Sequence, residues 1–273
     1  MTLAAPPLPS DPALDRALAQ LAPGHVLSMA ERLSGGRTNH VWRLGPVVVK
    51  VYRATAATPL FPNDPVAEAA ALARFAPHGL APPLLAQGRG WVITAHVPVL
   101  DRPPAPAAIA AMLHRLHRLN VPPGSFRSLP NGSAALLAHA RSFAPPGLPG
   151  APEDPGLAPV APCPVHADAV PGNILPTRDG PLLIDWQCPG LGDPAEDLAT
   201  LLSPGMTWLY TGTIRPPGWA EALLAAYPDP AVADRTRRLL PLYRWRIMAH
   251  CAWKARRGDA DYAEALRIET ETP

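Results

Sequence analysis

The chain has 273 residues, 48 % hydrophobic and 17 % charged, with a formal net charge of +2. This composition fits one large domain or two small lobes with a substantial core, and excludes a disordered chain. It gives no support to a broad nucleic-acid or membrane-surface footprint, so any anion binding must be local.

In chain order, residues 12–22 read as a short helix with Asp11 as N-cap before Pro12. Segments 26–33, 40–44 and 46–52 read as strands, broken at Gly35-Gly36 and Gly45-Pro46. Asp64-Pro65 opens a helix, an N-cap followed by proline at the first helical position. Residues 83–86 and 91–95 read as two more short strands. From about residue 106 the pattern turns helical: Ile109, Met112, Leu113, Leu116 and Leu119 share one apolar face. A helix over 133–143, strands at 163–166 and 181–186, and helices at 194–202, 219–227, 231–254 and 259–268 complete the chain. The expected class is α+β, with a small antiparallel-sheet N-terminal lobe (residues 1–97) and a helical C-terminal lobe (98–273).

Proline is unusually abundant, 39 residues of 273, against an average near ~5 %. It clusters at 98–106, 121–130, 145–164 and 215–217, between the periodic segments, where it makes rigid, punctuated loops. Cys163, Cys188 and Cys251 stand far apart with no CxxC spacing, which argues against a disulfide framework or structural zinc. The first residues lack a basic, apolar signal-peptide pattern, and no apolar run is long enough to span a bilayer. The expectation is a soluble, cytoplasmic protein.

The sharpest chemical signal is PVHADAVPGNILPTRDGPLLIDW. His166-x-Asp168 is followed five positions later by Asn173, and an apolar strand then delivers Asp185. This is the order H-x-D-x-x-x-x-N and then a metal-binding aspartate that phosphoryl transfer uses. Such transfer needs positioning and charge neutralisation rather than covalent help. A carboxylate at Asp168 can take the proton of an acceptor hydroxyl, while Asn173 and Asp185 offer hard oxygens to Mg²⁺. Each residue alone reads equally well as a turn or strand-end residue; the three in order do not.

The upstream half carries matching parts. Gly35 and Gly36 lie between strands, where backbone N–H groups can approach phosphates, although such a pair alone also makes an ordinary hairpin. Lys50 sits in the strand VVVKVY, placed to contact the α- and β-phosphates of ATP, and Glu68 on the next helix is its expected ion-pair partner. The bland readings are an edge-strand lysine and a solvated glutamate. His166 supports the loop rather than acting as base, because an aspartate is better placed. His114 and His117 lack a third ligand and read as structural.

The string Leu33-Ser34-Gly35-Gly36 with Asn39, the HADAVPGN loop and IDWQCPGLGDPAEDLA together resemble the aminoglycoside phosphotransferase and choline kinase family. The resemblance implies a protein-kinase-like bilobal fold and phosphorylation of small hydroxylated molecules by Mg·ATP. Carried over, it makes Asp168 the base, Asn173 and Asp185 the metal ligands, and Gly35, Gly36, Asn39, Lys50 and Glu68 nucleotide-binding residues. It makes Ala95 to Val97 the hinge that meets adenine, and Asp197 a brace of the catalytic loop. Asp185-Trp186 stands where protein kinases have D-F-G, so no activation-loop switch is implied. The proline-rich PVLDRPPAPA replaces the usual hydrophobic linker after the hinge.

Asp193, Pro194 and Glu196 read as a capping-box-like helix start. For the acceptor, the candidates are Trp208, Tyr210, Trp219, Tyr243, Trp245, Trp253, Glu196 and Asp197, the aromatics as cation–π partners or simply as core. Choline, thiamine, an aminoglycoside, a sugar or an amino-acid alcohol all remain compatible acceptors. The carboxylates beyond residue 200 are thin for an aminoglycoside, which favours a metabolic acceptor. The alternative is a catalytically weak nucleotide-binding regulator. A protein kinase lacks its D-F-G and A-P-E motifs here, and a metal-dependent phosphohydrolase would need more clustered His and Asp.

Overall fold

The computed structural model describes residues 11–25, 29–33 and 37–272. Helix α1 (Pro12–Leu21) starts at Asp11, whose carboxylate accepts the N–H groups of Ala13 and Leu14 and also the Trp91 indole N–H at 3.0 Å. One side chain thus caps the helix and ties it to the sheet it packs on.

That sheet has five strands: β1 (Glu31–Arg32), β2 (His40–Leu44), β3 (Val47–Val51), β4 (Leu84–Gly88) and β5 (Trp91–Ala95), all neighbours antiparallel, in the order β1-β2-β3-β5-β4. Of the expected first strand, Glu31–Arg32 form β1 and the Leu33 N–H donates to the Val41 carbonyl at 3.0 Å; its residues 26–28 lie outside the described residues. Period-two alternation on β3 sends Val47 and Val49 to the face covered by Leu14 and Leu18 of α1. Lys50 therefore points to the opposite face. Across that face runs α2 (Pro65–Phe75), capped by Asp64 through the N–H groups of Val66 and Ala67.

The helical half begins with α3 (Pro106–His117) and α4 (Ser133–Phe143), separated by the two-residue β6 (Arg127–Ser128). Then follow β7 (Cys163–Val165), a 3-10 turn at Pro171–Asn173, and the hairpin β8 (Ile174–Thr177) and β9 (Gly180–Leu183). β10 (Gly190–Gly192) pairs between β6 and β7. Five helices close the chain: α5 (Ala195–Leu202), α6 (Pro204–Thr211), α7 (Trp219–Ala226), α8 (Pro230–Ala255) and α9 (Ala260–Glu271).

The largest core runs from Phe75 of α2 through Leu113 of α3 to Leu198 of α5. Trp186 is fully buried in it, its ring 4.7 Å from Phe75 and 4.4 Å from His166 between centroids. The residue after Asp185 is thus a plug that fixes the chain on both sides of it.

Two expectations need correction. The strand expected over 181–186 ends at Leu183, because Asp185 turns to φ 63° and leaves the ladder. Helix α6 was not expected: Pro204-Gly205 reads as a breaker pair, but proline is tolerated in a first helical turn. Ser203 caps it through the Met206 N–H, and Gly205 lets it pack against Ala265 of α9.

Candidate active site

Lys50, buried at 7 % exposure, reaches from β3 between two carboxylates. Its ammonium lies 2.5 Å from Glu68 Oε2 and also contacts Asp185 Oδ1. Burial works against the charge, yet Asp185 and Glu68 outweigh it and hold the Lys50 pKa above its usual value. The same Glu68 oxygen accepts the hydroxyl of Tyr52. Tyr52 was missed from sequence, although its place two residues beyond Lys50 was signal enough for a shared strand face.

The loop from Val165 to Asn173 is held from beneath. Asp197, fully buried on α5, accepts the backbone N–H groups of His166 at 2.9 Å and Ala167 at 2.7 Å. His117 Nε2 lies 3.0 Å from the same carboxylate, and its Nδ1 lies 2.8 Å from the Tyr227 hydroxyl. Burial raises the Asp197 pKa, but the bonds from His117 and from the backbone outweigh it and leave it lowered. His117 is thus a buried link from α3 to α5, in keeping with the structural role read from the sequence.

His166 is fully buried, and burial lowers its pKa, so the ring is neutral. Nε2 lies 2.9 Å from the Ile184 carbonyl and Nδ1 lies 3.3 Å from the Asp168 N–H. These partners assign the proton to Nε2, leaving Nδ1 as acceptor. The histidine therefore joins the loop to the segment that carries Asp185. Between the two bonds Ala167 is forced to φ 62°, a strained conformation for a residue with a Cβ.

That strain presents Asp168. Its carboxylate is 4 % exposed, and burial first, then the neighbouring Asp185, pushes its pKa up to about 8. Asn173 donates to the Asp168 carbonyl at 2.9 Å and to Oδ2 at 3.3 Å. Oδ1 has no partner among the described residues. An unsatisfied buried carboxylate oxygen is costly unless something else comes to it.

Asp168 lies in the wall of a cavity of about 520 Å³, framed by residues 53–61 on one side and by the end of α8 and the start of α9 on the other. Of the acceptor candidates only Tyr210 and Trp253 line it. Tyr243 and Trp245 belong to the core around α4 and α8, and Trp219 packs against Arg215. Glu196 faces inward to Arg246 rather than completing a capping box, while Asp193 alone accepts the Ala195 N–H and pairs with Arg235. Tyr262, His250, Arg37 and Lys254 also line the cavity and were missed, because they come together only when α8 and α9 fold beside the loop after β1.

The remaining expected residues fall as follows. Gly35 and Gly36 lie outside the described residues. Asn39 is 4 % exposed and its carboxamide is engaged within the protein, with Asn63 and Gln187 each at 2.7 Å and the Arg53 N–H at 3.0 Å. Ala95 ends β5; its N–H and that of His96 go to the carbonyls of Pro83 and Pro46. The Val97 N–H has no partner among the described residues.

Magnesium is bound by one or two carboxylates or amides together with substrate phosphates, rather than by a closed protein cage. Asn173 and the quarter-exposed Asp185 fit that donor set. Among the described residues no cluster of three or more His, Cys, Asp or Glu forms a cage of its own. No described helix is long and apolar enough to cross a membrane.

Residues 30–238 match the model of the phosphotransferase enzyme family. A choline/ethanolamine kinase family protein from Mesorhizobium loti has the same fold, with a TM-score of 0.66 at 21 % identity over 95 % of each chain. The gentamicin complex of APH(2")-IIa gives a TM-score of 0.66 at 16 % identity, covering 97 % of this chain and 98 % of that one. The macrolide 2'-phosphotransferase MphH from Brachybacterium faecium gives 0.60 at 17 % identity, covering 96 % and 97 %. No curated protein sequence matches. The chain belongs to the phosphotransferase enzyme family and has its bilobal, kinase-like α+β fold.

Proposed function

We propose that this member of the phosphotransferase enzyme family moves the γ-phosphoryl group of ATP to a hydroxyl of a small molecule, with Asp168 as the catalytic base. The observation that carries the reading is the unpartnered Asp168 Oδ1, buried yet in the wall of the cavity, beside Asn173 and the Lys50–Asp185 pair. A base must meet the hydroxyl whose proton it takes, and this oxygen is the free one. A pKa near 8 suits a group that must accept a proton near neutrality.

On this reading residues 1–97 form the nucleotide-binding lobe and 98–273 the catalytic and acceptor lobe. Lys50, kept charged by Glu68 and Asp185, meets the α- and β-phosphates. Gly35 and Gly36 are assigned to phosphate binding on their residue type alone, while Asn39, bonded to Asn63 and Gln187, is fixed at the entrance to β2. The free Val97 N–H and the Ala95 backbone beside it meet the adenine edge. Asn173 and Asp185 would hold Mg²⁺, which when bound neutralises charge on the phosphates. His166 and Asp197 position the loop without touching the reactants. Asp168 orients the acceptor hydroxyl in line and takes its proton as the new O–P bond forms and the bond to ADP breaks.

The test is ADP release from Mg·ATP by the full chain, with choline, thiamine, methylthioribose, homoserine and a kanamycin-type acceptor supplied in turn. Acceptor-stimulated release that disappears in Asp168→Asn supports the reading. Stimulated release that survives in the variant contradicts it.

A further inference from the structure

The acceptor cavity has a charge pattern that the reading above does not use. Four basic residues line it, Arg37, Arg53, Lys254 and Arg257, against Asp168, Asp259 and Asp261. Arg37 pairs with Asp261 at 2.6 Å and Lys254 with Asp259 at 3.1 Å. Arg53 and Arg257 are left without a carboxylate among the described residues, while Asp168 is committed to the reacting hydroxyl. The side chains that surround a bound acceptor therefore carry a surplus of positive charge.

The aromatic residues point the same way. Tyr262 and Trp253 would read as walls for a cationic amine. Their faces are taken by the protein's own cations: Arg257 lies 3.5 Å from the Trp253 ring centre, and Lys254 and Arg37 lie 4.9 and 5.4 Å from that of Tyr262. A quaternary ammonium would have to displace them.

Two further features face the cavity. Helix α9, 12 residues long, begins there, and Asp259 at its N-cap makes no capping bond because its carboxylate turns to Lys254. The first N–H groups to find a carbonyl are those of Tyr262 and Ala263; those of Ala260 and Asp261, both in the cavity wall, have no partner among the described residues. Such a helix start favours negative charge. His250, only 1 % exposed, lines the same cavity with Nδ1 unpartnered. Burial, with Lys254 and Arg246 nearby, lowers its pKa to about 3, so it stays a neutral hydrogen-bonding ring.

We infer that the acceptor carries a carboxylate, seated against Arg257 and the start of α9, while its hydroxyl lies at Asp168. The inference rests on the phosphotransfer reading and narrows it: the substrate class is a hydroxylated organic acid rather than a polyamine or a choline-like cation.

The experiment compares glucuronate, glucuronamide and glucosamine, which share ring hydroxyls and differ in carrying an anionic, a neutral or a cationic group. Binding is read by calorimetry on the full chain with Mg·ADP present, and turnover by ADP release from Mg·ATP. The expected result is that glucuronate outbinds glucuronamide by about tenfold and glucosamine by a wider margin, the exposed Arg257 and the unpartnered N–H groups at the start of α9 acting together. Arg257→Gln should shrink the acid-to-amide ratio about three- to fivefold, the acid losing more affinity than the amide. Equal binding of acid and amide, preference for glucosamine, or an acid preference untouched by Arg257→Gln would overturn the inference. Mg·ATP binding is measured on the same samples. Loss of acid preference with nucleotide binding intact sinks this inference alone. Absence of nucleotide binding sinks the kinase reading, and the acid preference is then judged by calorimetry without nucleotide.

Discussion

Asp197 holds the Ala167 N–H at 2.7 Å, and Ala167 is the residue whose left-handed backbone turns Asp168 toward the cavity. A fully buried carboxylate on α5, beyond β8, β9 and β10, thus sustains the strained alanine in the loop that carries Asp168. Removing it should release that strain and leave donors unpaired. Asp197→Ala strands the N–H groups of His166 and Ala167 as well as the His117 ring, each a cost of about 1–3 kcal/mol before relaxation. The expected result is a stability loss of about 2–4 kcal/mol in urea. A fall in kcat of at least about a hundredfold, with the KM for ATP nearly unchanged, should accompany it. A rise in that KM without loss of kcat would show that Asp197 serves the nucleotide instead.

Stability should carry the signature of Asp168. Burial and the neighbouring Asp185 push its pKa up to about 8 in the folded protein, against 3.8 for an ordinary aspartate. The folded state therefore holds a proton that the unfolded state has lost between these values. The contribution is fully present below the unfolded value and is lost as pH rises through about 8. Asp168→Asn removes this drift. Its Tm advantage over wild type should be larger at pH 8.5 than at pH 5, by roughly 2–8 °C. Equal increments at the two pH values would mean that Asp168 titrates normally.

Gly172 and Tyr210 test how α6 seats the loop. A Cβ at Gly172 would meet the Tyr210 ring at 2.2 Å, so only glycine admits the ring there. Gly172→Ala should cost about 1–3 kcal/mol through overpacking and misplace Asn173. In a Tyr210→Ala background, which opens the space at its own cost, the further cost of Gly172→Ala should largely disappear. Additive losses in the double variant would show that the two residues do not touch.

Arg246 and Glu196 form an ion pair buried on both sides, yet Arg246 Nε and Glu196 Oε2 have no partner among the described residues. Breaking one side should be severe: Arg246→Ala is expected to cost about 3–5 kcal/mol. Replacing both with Met and Leu should recover most of it, because the desolvation of two charges disappears. A single-variant cost below about 1 kcal/mol would mean that water enters and solvates Glu196.

The contrast between these residues shows what the sequence could carry. His166, Asp168, Asn173 and Asp185 lie within twenty residues, and chemistry dictates both their types and their spacing. Lys50 and Glu68 were readable because a strand lysine followed by a glutamate on the next helix is the order this chemistry uses, and the structure pairs them. The His117–Asp197 bond spans eighty residues and left no local trace. Likewise the cavity wall of Arg37, His250 and Tyr262 depends on how α8 and α9 meet Arg37, a tertiary fact with no periodicity to announce it. Helix α6 was hidden for a local reason, a proline and a glycine that act as a breaker anywhere except a first turn.

The central claim is that Asp168 takes the acceptor's proton. Its most direct test is the comparison of Asp168→Asn with wild type in single turnover and in Mg·ATP binding, using any acceptor that stimulates ADP release. The account predicts a chemical step slowed by about 10²–10⁴ with the Kd for Mg·ATP changed less than about threefold. An Asn variant that turns over at the wild-type rate, or one that loses Mg·ATP binding as its main defect, would contradict it.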